Sequence, residues 1–335
     1  MKEEQIHVLL KDLSKKFQTP VKLIETHISW LLLTNKFAYK IKKPIRYSFL
    51  DFSTLDKRAF YCQRELQLNR RLTKNIYLDI TPICVKPSRL CMDEKGGEII
   101  DFAVKMKRLQ LAKQMHNRLR DGQVNEKDIC GLARKIWLFH DHAEIIKKPY
   151  QRAGDQRKFN DLLDEQKFIA TELGEYYGQL IKKNTQVANK FLISAEALIK
   201  ERSKQGLIRD VHGDLHSKNI FLYKDPIIFD CIEFNDDFRQ IDVLNEIAFC
   251  CMDLDAHNRP DLGGLLLQKY INQSRLTFGS PELKLFKYYK AYRANVRAKV
   301  NTLRAKQTID MKKKEFFLEE IRKYLLLMDN YLQEI

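Results

Sequence analysis

The sequence predicts an α+β protein of two lobes, a small antiparallel sheet with one helix followed by a mostly helical lobe. Short apolar runs joined by turn-type residues fill the first hundred of the 335 positions. Apolar residues at helical spacing dominate further on, as in the segment 128–146. A strand pair at 80–85 and 98–106 completes the sheet, so we expect lobes at 1–107 and 108–335.

Composition narrows the class of protein. A chain that is 44% hydrophobic, without eighteen consecutive apolar residues, is expected to be soluble and to have no membrane span. Its charged start lacks the pattern of a signal peptide. Seven cysteines without a Cys-x-x-Cys motif predict reduced thiols in the cytoplasm. The net charge of +16 indicates anionic ligands, although solubility and a general attraction of anions are the simpler explanation.

Two strand-like runs, Ser29–Leu33 and Phe37–Lys42, are separated by a turn-type cluster at 34–36. On the second strand, the period of two places Ala38, Lys40 and Lys42 on one face. Lys42 and the following lysine are expected to be solvated, and a basic edge strand is the alternative for all of them. Ala38 and Lys40 together form an Ala-x-Lys arrangement on this face.

A helix is predicted after the capping-box pattern at 53–56. Its apolar positions lie on one side and include Cys62 and Leu66. Glu65 flanks that apolar side in a segment that is otherwise rich in Lys and Arg. Glu65 is therefore the candidate functional acid of this helix. The alternative is an exposed Glu65 that pairs with Arg64 or Asn69.

The segment 211–230 ends in two apolar runs, 220–223 and 227–229, which predict a short β-hairpin. If Lys224 and Asp225 occupy its turn, Asn219 lies directly opposite Asp230, with Cβ atoms about 5 Å apart. An amide oxygen and a carboxylate at that separation suit Mg²⁺. Asp214, five residues before Asn219, is then expected near the metal.

The pattern His-x-Asp-Leu-x-x-x-Asn at 212–219, followed by Asp230, resembles the catalytic loop and metal-binding Asp of protein-kinase-like enzymes. Gly213 stands where protein kinases carry Arg, and Cys and Ile follow Asp230 where they carry Phe and Gly. Both departures are typical of the aminoglycoside phosphotransferase and choline kinase side of the superfamily. The alternative is a polar loop and a surface hairpin without chemistry.

The N-terminal part resembles one bacterial branch of this group, some members of which are fused to a P-loop ATPase domain. This chain has no Gly-x-x-x-x-Gly-Lys-Ser/Thr motif and is expected to be the kinase-like unit alone. The resemblance covers nearly the whole sequence. It implies a two-lobed protein-kinase-like fold, whereas it leaves the substrate open.

The resemblance also implies ATP- and Mg²⁺-dependent phosphoryl transfer to a hydroxyl group. Asp214 would orient the acceptor and take its proton, and Lys40, fixed by Glu65, would grip the nucleotide phosphates. The remaining assignments are Asn219 and Asp230 as Mg²⁺ ligands, His212 as a brace of the loop, His216 in the acceptor pocket, Thr26 and Ser29 as donors in place of the absent glycine-rich loop, and Met106 at the adenine-binding hinge.

Three residues are candidates for the acceptor side. Glu233 could hold a second ion, meet the acceptor or have a structural role. Arg293 and Arg297 lie one turn apart on a basic helix, so they could converge on one anion. A solvated helix face is the default interpretation, and an anionic small molecule, nucleic acid or a lipid headgroup is the alternative.

Rival functions remain open at the level of sequence. One is a protein kinase on the same scaffold, and the other is a nucleotide-sensing or nucleic-acid-binding module without turnover. The presence of every expected catalytic residue argues against loss of turnover. Aminoglycosides are poor candidate acceptors, because a polycation would meet a strongly positive protein.

Overall fold

The computed structural model describes residues 1–47, 50–87, 89–94, 96–274 and 276–335, and it confirms the α+β class. The strands are β1 Lys22–Glu25, β2 Ser29–Leu33, β3 Phe37–Lys42, β4 Arg46–Tyr47, β5 Leu50–Asp51, β6 Tyr77–Lys86, β7 Arg89–Met92, β8 Glu98–Lys107, β9 Ile208–Asp210, β10 Ile220–Phe221, β11 Ile227–Ile228 and β12 Gln240–Asp242. The helices are α1 Glu3–Phe17, α2 Leu55–Arg70, α3 Met115–Arg120, α4 Glu126–His142, α5 Arg152–Asn160, α6 Gln166–Leu173, α7 Glu175–Ser194, α8 Glu196–Lys204, α9 Val243–Ala256, α10 Pro260–Ser274, α11 Ser280–Gln307 and α12 Met311–Leu332.

The main sheet has six antiparallel strands in the order β1-β2-β3-β8-β6-β7. Successive side chains of β3 point to opposite faces, as the period of two requires. Ile41 packs with Leu9 of α1 in one apolar cluster. Ala38 packs with Cys62 of α2 in the other. The face that carries Ala38 therefore also carries Lys40 and lies toward α2.

The chain forms two compact units whose limits differ from the predicted boundary at 107. The first unit comprises Met1–Asn117, Asn219–Tyr223 and Ile227–Phe238. The second comprises Arg118–Lys218, Lys224–Pro226 and Arg239–Ile335. The hairpin strands belong to the first unit because they pair with the segment after β8. Leu222 N–H donates to the Lys113 carbonyl at 2.8 Å, and the Tyr223 hydroxyl accepts from Gln110 N–H at 3.1 Å.

The hairpin forms as predicted, but its register differs by one residue. Ile220 lies opposite Ile228, and Phe229 N–H donates to the Asn219 carbonyl at 3.1 Å. The predicted pairing of Asn219 with Asp230 across the ladder is therefore wrong. The reason is the connection, which spans 222–226 instead of a two-residue turn, because loop length sets hairpin register.

The second unit is mostly helical. Helix α4 begins at Glu126, two residues before the predicted range 128–146, and ends at His142, within that range. Helix α9 is buried along nearly its whole length. The Asp242 carboxylate accepts from Leu244 N–H at 2.8 Å, so Asp242 is the N-cap of this helix. In the part of the chain that the structure describes, no helix is long and apolar enough to cross a bilayer.

Candidate active site

A buried ion pair lies at the centre of the first unit. Lys40 on β3 places its Nζ 3.0 Å from Glu65 Oε1, and α2 holds Glu65 fully buried beside its apolar side. Lys40 Nζ also donates to Asp230 Oδ1 at 2.5 Å. The predicted pairing of Lys40 with Glu65 is thus present, and the alternative of an exposed Glu65 is excluded.

Lys42 is the second lysine of this cluster, and its predicted solvation is wrong. Its exposed fraction is 0%, and its Nζ donates to Glu65 Oε2 at 2.7 Å and to Glu233 Oε1. Lys42 shares a strand face with Lys40, so it points to the same helix. Glu233 is itself buried, so its contact with Lys42 supports the structural role among the three that the sequence left open.

Burial and charge oppose each other in this cluster. Burial alone would lower the pKa of Lys40, but Asp230 and Glu65 raise that pKa well above its usual value. Burial alone would raise the pKa of Glu65, but Lys40 and Lys42 lower it to about 2. For Glu233 burial prevails and raises the pKa, with Lys42 opposing. Two ammonium groups and three acids thus form the cluster.

Asp230 is the acid of this cluster that solvent can reach, with a side chain that is 39% exposed. Its backbone has a φ of 65°, which Asp tolerates better than most residues but still at a cost of about 1 kcal/mol. Two hydrogen bonds hold the chain in this conformation. Asp230 N–H donates to the Tyr77 hydroxyl at 3.1 Å, and Cys231 N–H donates to Asn69 Oδ1 at 2.9 Å. The Asp230 carboxylate is therefore oriented by its backbone.

The two predicted Mg²⁺ ligands both lie in the first unit, at the open end of the hairpin. Within the described ranges, no group of three or more His, Cys, Asp or Glu residues could hold a metal ion. Asn219 and Asp230 nevertheless fit Mg²⁺, because this cation binds to oxygen and takes its remaining ligands from water and substrate phosphates. Their role as metal ligands stays a prediction.

Three further residues predicted to contact nucleotide have structural contacts of their own. Thr26 Oγ1 donates to the Ser29 carbonyl at 3.0 Å and accepts from Ser29 N–H at 2.9 Å, so the pair closes the turn between β1 and β2. Ser29 is fully buried. Met106 lies opposite Ala38 in the register of β3 and β8, one residue before the end of β8. Donation to phosphate by Thr26 and Ser29, and a hinge at Met106, stay predictions.

The second unit holds the loop that carries Asp214. Gly213 has a φ of 86°, a conformation that favours glycine and that the Arg of protein kinases would adopt only with strain. His212 N–H donates to both Glu246 carboxylate oxygens at 3.0 Å, and His212 Nδ1 accepts from Asp214 N–H at 3.2 Å. Arg293 Nη1 donates to the Gly213 carbonyl at 3.0 Å. These hydrogen bonds anchor the loop from both sides, and His212 takes part in two of the contacts.

His216 contacts Asp214 directly. Its Nδ1 accepts from Lys218 N–H at 3.2 Å, so in the neutral ring the hydrogen resides on Nε2. That Nε2 lies 3.3 Å from Asp214 Oδ2. Burial alone would raise the pKa of Asp214, but His216 and Arg297 hold it below the usual range. Asp214 is therefore ionised at neutral pH, and His216 orients it; lining of the acceptor pocket by His216 stays a prediction.

The two arginines of α11 do not share one environment. Arg293 is 5% exposed, donates from Nε to Asn245 Oδ1 at 2.7 Å and lies 4.8 Å from the centre of the Phe249 ring. Arg297 is 6% exposed and lies 5.6 Å from the centre of the Tyr324 ring. The default expectation of a solvated face is wrong at both positions. Arg293 positions the loop at Gly213, so the structure does not support its use as an acceptor ligand.

Sequence reasoning missed Lys42 as a site residue, and it missed two acids of α9. Glu246 accepts from His212, and Asp253 Oδ2 accepts from Ser217 N–H at 2.8 Å. The signal was available, because an acid in an otherwise apolar, buried helix needs a partner. What the sequence did not show is that both partners lie in the loop at 211–219.

Known proteins with a similar sequence include proteins of mycobacteria. No protein-family model matches the chain. Uncharacterized proteins of Mycobacterium tuberculosis and Mycobacterium bovis are 31% identical over 313 residues, which is 92% of this chain. The chain spans 59% of the length of these relatives.

Solved structures define the class of fold. A choline kinase from Cryptosporidium parvum superposes with a TM-score of 0.55 at 12% identity, over 94% of this chain and 90% of that one. An aminoglycoside 2'-phosphotransferase in complex with GDP gives 0.55 at 11%, over 97% and 99%. A spectinomycin phosphotransferase in complex with ADP and spectinomycin gives 0.53 at 10%, over 100% and 99%. The chain thus has the fold of choline kinases and aminoglycoside phosphotransferases, as the sequence predicts.

Proposed function

We propose that this protein is an ATP- and Mg²⁺-dependent phosphotransferase that transfers the γ-phosphoryl group to a hydroxyl of a small molecule. The observation that carries the proposal is the buried pair of Lys40 and Glu65 in contact with Asp230. The fold supports it, since choline kinases and aminoglycoside phosphotransferases share that fold. All seven cysteines are free, which supports a cytoplasmic location.

Each residue has a defined task in this proposal. Glu65 orients Lys40, whose ammonium binds phosphate oxygens of the nucleotide. Asn219 and Asp230 supply the oxygen ligands for Mg²⁺, which neutralises phosphate charge when bound. Since Lys40 and Asp230 are in contact, a cation at Asp230 would free the Lys40 ammonium to contact phosphate.

Asp214 acts on the acceptor. Its ionised carboxylate accepts a hydrogen bond from the acceptor hydroxyl and orients the oxygen toward the γ-phosphorus. As the new O–P bond forms and the bond to the ADP oxygen breaks, the hydroxyl proton passes to Asp214. A carboxylate of lowered pKa is a weak base, but a loose transition state develops little need for a strong one.

The test is a search for the phosphorylated product. The protein is incubated with γ-labelled ATP, Mg²⁺ and a metabolite extract, and labelled small molecules are identified by mass spectrometry against the Asp214→Asn variant. A product that depends on Asp214 supports the proposal. Label on polypeptide would instead indicate a protein kinase. Nucleotide binding without any labelled product would favour a sensor, and absence of Mg·ATP binding would overturn the proposal.

A further inference from the structure

One face of α11 carries polar groups that the protein itself does not satisfy. Arg297, Asn301 and Arg304 occupy positions i, i+4 and i+7, which fall on one side of a helix. Arg297 and Asn301 are 6% and 2% exposed, and Arg304 is half-buried. Three buried polar groups have no hydrogen-bond partner among the described residues. Two lie on this side of α11, Arg297 Nε and Asn301 Nδ2, and the third, Ser217 Oγ, lies in the loop that carries Asp214.

Unpaired buried donors are informative because they are costly. Leaving one such group without a partner costs about 1–3 kcal/mol, and folded proteins contain few of them. All three groups can donate a hydrogen. A ligand that satisfied them together would have to offer acceptor oxygens.

The lysines of the same helix show a different pattern. Four of them form ion pairs with acids of the second unit: Lys287 with Glu334, Lys290 with Asp255, Lys299 with Asp161 and Lys306 with Glu165. For the two arginines, no carboxylate oxygen lies within 4.0 Å in the part of the chain that the structure describes. These lysines are therefore neutralised by contact with acids. Within the described chain the two arginines contact no acid, and Arg297 has a hydrogen bond with the Tyr324 side chain.

Arg297 and Arg304 also lie close enough to interact electrostatically with each other and with Asp214. Burial and the neighbouring Arg297 lower the pKa of Arg304, while Asp214 opposes that change. The acids that face Arg297 are Asp214 and Asp253, which are in contact with His216 and with Ser217 N–H respectively. An anion between the guanidinium groups would relieve their repulsion at a position beside the proposed catalytic base.

We propose that Arg297, Arg304, Asn301 and Ser217 form a subsite for a phosphate or carboxylate group of the acceptor, which is therefore an anionic hydroxyl compound. This inference rests on the proposed function, because it assigns the substrate class of the same reaction. Two guanidinium groups supply charge and paired donors, and the amide and hydroxyl complete the oxygen shell. A cationic acceptor would meet repulsion at this position.

Inorganic phosphate is the probe for a direct test. Calorimetry at constant ionic strength, with chloride as the balancing anion, should show saturable binding to the wild-type protein. Arg304→Gln should weaken that binding about 10-fold or more, since it removes a charge-assisted pair of hydrogen bonds. Lys287→Gln removes one charge from the same helix at a neutralised position and should leave the affinity unchanged. Circular dichroism verifies that each variant is folded.

Two further variants keep the result interpretable. Arg297→Lys retains the buried charge and should weaken phosphate binding, which serves if Arg297→Gln fails to fold. Lys299→Gln removes a lysine of the same helix that Asp161 already neutralises, so this variant should bind phosphate as the wild type does. Equal affinity in all variants, or loss confined to Lys299→Gln, would overturn the inference. So would salt-sensitive binding of a 20-nucleotide RNA without binding of phosphate.

Binding of Mg·ATP, measured by calorimetry in the same variants, separates the two proposals. Arg304→Gln should bind Mg·ATP with wild-type affinity. If wild-type protein binds Mg·ATP but not phosphate, the anionic subsite is wrong and the phosphotransferase assignment stands. If it binds phosphate at Arg304 but not Mg·ATP, the assignment of the reaction is wrong.

Discussion

Lys40 and Lys42 in the first unit each contact two carboxylates, whereas Arg297 in the second unit contacts none and leaves its Nε unpaired. Lys40, Lys42 and Arg297 are all buried, so a difference in their solvent access does not explain the contrast. The first cluster has one more carboxylate than ammonium groups. The second has donors without acceptors.

The contrast indicates what each cluster would bind. A buried charge without a partner is unfavourable, and a ligand of opposite charge removes that penalty on binding. Asp230 already contacts Lys40 and is partly exposed, so it is the acid of the first cluster that a cation can reach. The surplus donors around Arg297 are suited to an anion. A kinase that phosphorylates an anionic acceptor needs one site of each kind.

The largest effect is expected at Asp230, because it is a predicted Mg²⁺ ligand that solvent can reach. Asp230→Ala should abolish Mg²⁺-dependent nucleotide binding and lower turnover by about 10³-fold or more, while the fold stays intact. Calorimetry with Mg·ATP measures the first effect. Asp225→Ala, in the loop of the same hairpin, removes an exposed acid and is the matched control. Unchanged Mg·ATP affinity in Asp230→Ala would remove the metal assignment.

The next effect is on stability and concerns Lys42. Lys42→Met leaves Glu65 and Glu233 buried with one cation fewer, so it should destabilise the protein by about 3 kcal/mol. Urea unfolding, followed by circular dichroism, measures the loss. Adding Glu233→Gln removes one of the stranded charges and should recover part of that stability. If the double variant is no more stable than the single one, Lys42 and Glu233 are not coupled as the structure indicates.

Asp214 tests the division of work between the two units. Asp214→Asn should keep Mg·ATP affinity and lower kcat by about 10²-fold, because it removes the base and no phosphate ligand. Lys40→Ala should weaken Mg·ATP binding as well. Steady-state kinetics with the acceptor found in the product search, together with calorimetry, separate the two outcomes. Equal loss of nucleotide affinity in both variants would contradict the assigned roles.

The smallest effect separates the two arginines of α11. Arg293→Lys loses the paired contact with Gly213 and Asn245, so it should lower kcat by about 10-fold without changing phosphate affinity. Arg297→Lys should weaken phosphate binding instead. Kinetics and phosphate calorimetry on both variants give the comparison. A loss of phosphate affinity in Arg293→Lys would restore Arg293 as a ligand of the anion.

Local chemistry in the sequence determined several elements. The bounds of Ser29–Leu33 and Phe37–Lys42 match the structure, because alternating side chains and turn residues define strands within a few positions. The cap at Asp242 was equally readable, since a capping side chain bonds to a backbone N–H only two residues ahead. The pairing of Lys40 with Glu65 came from the family resemblance, and the structure contains that pair.

Tertiary structure decided what depends on distant partners. Lys42 and Glu233 are 191 positions apart, and nothing local to either residue reveals that both are buried together. The hairpin register differs by one residue from the predicted register, because the length of the connection and not the pattern of the strands determines it. Arg297 and Arg304 carry the same charge as the lysines beside them. Only the packing of α11 against its neighbours determined which cations meet an acid and which stay available to a ligand.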